Sequence, residues 1–111
     1  MGSPAAALAM PNDTQKFDRV TMTGNLVLTA ASDSVQSLDT NGSARDVTLP
    51  AVTAALAGKV FYISNRGAQT ITLKNSAATA LATVLTKAAV IAICDGTGWQ
   101  CYLGAAVTVQ G

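Results

Sequence analysis

The stretch Gly58-Lys-Val-Phe61-Tyr-Ile63-Ser-Asn65-Arg66-Gly67-Ala-Gln69-Thr-Ile71-Thr-Leu73-Lys74 decides the fold. Its second half alternates apolar with threonine at every second position, the period of a strand with one buried face. A three-residue loop Asn65-Arg66-Gly67, with Gly67 in the left-handed position of a bulged turn, predicts a hairpin here. That hairpin places Phe61, Ile63, Ile71 and Leu73 on one face.

Working toward the N-terminus, Leu49-Pro50 ends a strand, and Ala51 to Ala57 followed by Gly58 predicts one or two helical turns closed by the glycine. Segments 34 to 38 and 45 to 49 flank Asp39-Thr-Asn41-Gly42-Ser43, and Asn-Gly is a strong hairpin signal. Register argues against a tight turn. With Asn41-Gly42 as a two-residue loop, Leu38 faces Arg45 and Val35 shares a side with Asp46, so the apolar residues never meet. A longer or bulged turn, or strands that part into different sheets, is expected instead. Further upstream, Phe17 to Met22 and Gly24 to Ala30 read as two strands, with Leu26 and Leu28 on one face.

Toward the C-terminus, residues 75 to 79 read as a loop and Ala80 to Leu85 as a strand or a helical turn. Val90-Ile-Ala-Ile-Cys94 is apolar on both faces. Asp95-Gly96-Thr97-Gly98 then turns the chain into Trp99-Gln-Cys101-Tyr-Leu103, a hairpin with buried arms, and Val107 to Val109 closes the chain as a short strand. Eight to ten short strands without alternating helices predict an all-β chain, a β-sandwich of jelly-roll type. No repeat of fixed period emerges, which argues against a solenoid.

Composition supports this class. The chain of 111 residues holds 14 threonines and no glutamate, a mixture suited to pleated sheets rather than helix surfaces. Its length allows one domain, residues 16–111, preceded by an arm, residues 1–15, in which Pro4 and Pro11 interrupt small and polar residues. Charged residues make up only 12 %, and the net charge is +1. Nucleic acid and anionic membranes are held by clustered Lys and Arg, so neither is an expected partner. The apolar run near Met1 lacks a basic leader, so synthesis in a cytoplasm is expected.

Chemistry finds few candidates. Without histidine the chain lacks the commonest general base and metal ligand, and an enzyme is not expected. Cys94 and Cys101 face one another in one hairpin register, but two thiols alone make no ordinary zinc site, and a reducing cytoplasm favours free cysteines. Asp95 has no partner carboxylate for calcium or acid catalysis and is expected to bond turn N–H groups. Trp99 and Tyr102 are candidates for a sugar platform, but their opposite parity sends one inward and the other out. Lys16, Asp18 and Arg19, beside the arm, are placed for ion pairs with another protein.

The Leu49-Pro50 loop, the Gly58-Lys-Val-Phe61-Tyr-Ile63-Ser-Asn65 strand, Ile71-Thr-Leu73 and the Asp95-Gly96-Thr97-Gly98-Trp99 hairpin together resemble small β-rich virion proteins of tailed phages. With this length and an arm, the chain looks most like the capsid decoration, or staple, proteins of short-tailed enterobacterial phages. The resemblance implies a jelly-roll homo-oligomer, a dimer before a trimer, on the outer surface of the virion. There it would clamp subunits of the major capsid protein without cofactor or metal. On that reading the arm and first strand are expected to make the contact, through Leu8, Met10, Lys16, Phe17, Asp18 and Arg19. The other expectation is a receptor- or carbohydrate-binding head of a tail fibre or spike.

Overall fold

The computed structural model describes residues 17–104. Nine strands occur among them: β1 (Phe17–Thr21), β2 (Leu26–Val27), β3 (Val35–Asp39), β4 (Arg45–Thr48), β5 (Val60–Asn65), β6 (Ile71–Lys74), β7 (Ala80–Val84), β8 (Ala89–Cys94) and β9 (Trp99–Gly104). They form a five-stranded sheet, β9-β8-β5-β3-β1, and a four-stranded sheet, β2-β4-β6-β7. The chain is all-β, as expected. The arm and the closing strand at Val107 to Val109 lie outside the described residues.

The jelly-roll form is not what the ladders show. A jelly roll is built from antiparallel pairs, whereas β1 with β3, β3 with β5, β2 with β4 and β4 with β6 all run parallel. From β1 to β6 the chain changes sheet at every strand, so it winds through three stacked turns. Among the described residues only β6–β7, β5–β8 and β8–β9 are antiparallel, and these finish the sandwich. The winding has the logic of a solenoid, and unequal loops hide its repeat: Phe17, Val35 and Tyr62 align across β1, β3 and β5 at offsets of 18 and 27 residues.

The segment 58–74 therefore forms no hairpin. β5 and β6 part into opposite sheets, yet Phe61, Ile63, Ile71 and Leu73 all face the core and are fully buried. Gly67 does not take the left-handed conformation. It is needed because a Cβ there would sit 2.5 Å from the Thr40 backbone nitrogen. The Asn41-Gly42 loop likewise joins two sheets, with both residues at positive φ. The helical expectation shrinks to one 3-10 turn, Ala54–Leu56, with Gly58 at φ 89° behind it.

Leu38, Val47, Leu49 and Val84 join Phe61, Ile63, Ile71 and Leu73 between the sheets, all at 0 % exposure. At roughly 1.5–3 kcal/mol for each side chain, this layer dominates the favourable side of folding. Asn65 is also fully buried and satisfied: Nδ2 donates to the carbonyls of Gln69 (2.7 Å) and Val84 (3.0 Å), and Oδ1 accepts the Gly67 N–H at 3.0 Å. It fixes the corner where the chain leaves one sheet for the other.

Candidate functional site

The two outer faces differ in chemistry. On the four-stranded sheet, Thr48, Thr72 and Thr83 surround a Lys74–Asp46 ion pair of 2.9 Å, a solvated surface. On the five-stranded sheet, directly opposed residues make an unbroken row across all five strands: Tyr102, Ile91, Tyr62, Val35 and Phe17. Opposed residues point to the same side, and this side is solvent. Tyr102 and Phe17 are each 57 % exposed, Tyr62 41 % and Ile91 38 %. Strands about 4.8 Å apart make the row roughly 19 Å long.

Flanking rows continue the character. On one side lie Gln100, Ile93 and Val60; on the other Gly104, Ala89, Ser64, Ser37 and Arg19. In these three rows Arg19 carries the single charge. The shape follows from strand alternation: in β5 Phe61, Ile63 and Asn65 turn inward, which forces Tyr62 and Ser64 out. Such a face suits a flat protein contact, where aromatic residues are enriched and charges are scarce.

Of the residues expected to meet a partner, Phe17 and Arg19 stand on this face. Asp18 does not. Its side chain lies on the core-facing side, where Oδ2 accepts a 3.0 Å bond from Nε2 of the buried Gln36. Leu8, Met10 and Lys16 lie outside the described residues. Tyr62, Ile91 and Val35 escaped the sequence reading. Their only trace was the apolar character of 90–94 on both faces.

Trp99 and Tyr102 do take opposite sides. The Trp99 ring packs 5.8 Å from that of Phe61, and its Nε1 donates to the Pro50 carbonyl at 3.0 Å. Beside it a cleft of about 220 Å³ is lined by Pro50, Val52, Asn75, Ser76, Leu81 and Thr97, among others. Asp95 closes the β8–β9 turn, its Oδ1 accepting the N–H groups of Thr97 and Gly98 at 2.8 Å each. Those two bonds, with a third from Gln100, hold its carboxyl below the usual range.

Both cysteines are free. The turn sets Cys94 opposite Trp99 and Cys101 opposite Ala92, so the thiols do not face each other. Partial burial pushes the Cys101 thiol up. Among the described residues no three His, Cys, Asp or Glu side chains gather to hold a metal, and no helix is long and apolar enough to cross a membrane.

No protein-family description, curated protein or solved structure matches this chain.

Proposed function

We propose that the chain is a decoration protein of a phage head, one that docks on the outer surface of the assembled shell and clamps neighbouring subunits of the major capsid protein. The uncharged row from Phe17 to Tyr102 carries this reading, because it offers an exposed apolar strip on a small domain. Exposed patches of this kind mark protein contacts. The sequence resemblance supplies the kind of partner, and β1, which carries Phe17, stands at the edge of the five-stranded sheet.

Stabilisation follows from linkage. A ligand that binds the mature shell and not its disassembled subunits shifts the equilibrium toward the shell. Many weakly bound copies add their effects. The work of the domain is adhesion, which a rigid sandwich does without moving parts.

The second reading is a carbohydrate-binding head of a tail fibre, and the cleft beside Trp99, with Asn75, Ser76 and Thr97 on its walls, is the observation in its favour. One experiment separates the two. Purified protein is mixed with expanded empty heads and, separately, with host cells, using wild type and Tyr62→Lys. Binding to heads that the substitution abolishes supports decoration; binding to cells alone, insensitive to position 62, overturns it.

A further inference from the structure

We infer that β9 is a self-pairing edge, through which two copies of this chain join their five-stranded sheets about a two-fold axis at Cys101. Edge strands are normally protected by charge, proline, bulges or brevity. β2 has two residues, β1 carries Asp18 and Arg19, and the β6–β7 pairing is broken by a bulge at Leu73/Lys74. β9 has six residues, Trp-Gln-Cys-Tyr-Leu-Gly, regularly paired to β8 and free of charge and proline. Among the described residues its other side has no partner strand.

The hydrogen-bonding phase fixes the register. The Asp95 N–H donates to the Gly98 carbonyl, so these two form a bonded pair at the turn. Alternation along an antiparallel ladder then turns the backbone groups of Trp99, Cys101 and Leu103 away from β8. A two-fold axis at Cys101 matches these groups to themselves: Cys101 with the partner's Cys101, Trp99 with the partner's Leu103. Each such pair exchanges two hydrogen bonds. The strand carries no charge to be repelled by its own copy.

A second observation agrees. Leu103 lies opposite Val90 and so stands on the core-facing side of the sheet, yet it is 58 % exposed where Val90 is 1 % exposed. The four-stranded sheet does not cover it. In the paired dimer it lies against the partner's Trp99, an apolar cross-strand contact.

A two-fold axis perpendicular to the sheet keeps both outer faces on one side. Two apolar rows then share a surface ten strands wide. This deepens the clamp proposed above, and rests on that reading only for what the doubled face would grip. The contact is small and belongs to the weak class, which dense occupancy of a lattice would reinforce.

The test is sedimentation of the full chain from micromolar to millimolar concentration. Wild type is expected to pass from monomer to dimer mass, and Leu103→Lys to raise the midpoint at least about tenfold, since lysine blocks strand edges. Circular dichroism checks that the variant is folded. A second readout avoids that question: paired Cα atoms about 5.5 Å apart lie within disulfide range. Copper phenanthroline, accepting two electrons as two thiols lose their protons, should link wild type into dimers on denaturing gels but not Cys101→Ser.

A monomer throughout, with no Cys101-dependent link, overturns the inference. So does a monomer whose Leu103→Lys variant loses head binding, because the edge would then belong to the capsid. A dimer that binds no heads leaves the inference standing and removes the proposed function.

Discussion

Tyr62 of β5 stands directly opposite Ile91 of β8, and both side chains point away from the core into solvent. This pair is the centre of the apolar row, with Tyr102 beyond Ile91 and Val35 with Phe17 beyond Tyr62.

If that centre anchors a partner, Tyr62→Lys should separate stability from adhesion. The residue touches no buried layer, so the unfolding free energy should stay within about 0.5 kcal/mol of wild type. Affinity for expanded heads should fall by about 2 kcal/mol or more, near thirtyfold, as for a central aromatic anchor. Equal binding by both proteins would remove this face from the contact.

Asn65 should behave oppositely. Asn65→Ala leaves the Gly67 N–H and the Gln69 and Val84 carbonyls without their side-chain partner. The expected cost is about 2–4 kcal/mol. It should appear in urea unfolding as a lower midpoint at an unchanged slope. A loss below about 1 kcal/mol would mean that water replaces the amide.

Gly67 and Gly24 make a paired test. A Cβ at Gly67 meets the Thr40 backbone nitrogen at 2.5 Å and the Asp39 Oδ1 at 2.9 Å, whereas nothing lies within 4 Å at Gly24. Gly67→Ala should therefore cost about 1–3 kcal/mol, the usual range for overpacking. Gly24→Ala should be neutral or slightly stabilising by thermal melt.

Acid should loosen the β8–β9 turn. The folded carboxyl of Asp95 titrates below its unfolded value, held there first by the Thr97 N–H and then by the Gly98 N–H. Its contribution is complete above the unfolded pKa, about 3.9, and disappears as pH falls through the lower folded value. The stability difference between wild type and Asp95→Asn should accordingly shrink toward low pH. An Asp95 carboxyl that titrates by NMR at or above the unfolded value contradicts the assignment.

Alternation along the chain identified the residues that face the core, and it did so even where it misplaced their neighbours. Phe61, Ile63, Ile71 and Leu73 present the same pattern whether β5 and β6 form a hairpin or enter opposite sheets, because period two reports the buried side and not the partner strand. The Asn41-Gly42 turn was legible because a tight hairpin put Leu38 against Arg45, a conflict resolved by changing sheets. β8–β9 was legible because its pairing is local and Asp95 sits in the turn itself. The exposed apolar row was not. Phe17, Tyr62 and Tyr102 are brought into line only by ladders that join distant segments, and single outward residues give no local sign of who stands beside them.

The parallel winding also dictates the tempo of assembly. Among the described residues β1 pairs with β3 alone, which itself rests on β5, so this strand waits for a segment some forty residues later to be made. Long-range pairing of this kind slows the search for the native state, while the β8–β9 hairpin closes quickly and locally. The exposed apolar row is consequently complete only when Ile91 and Tyr102 join it, so a nascent chain does not carry the whole surface until β8 and β9 have been made.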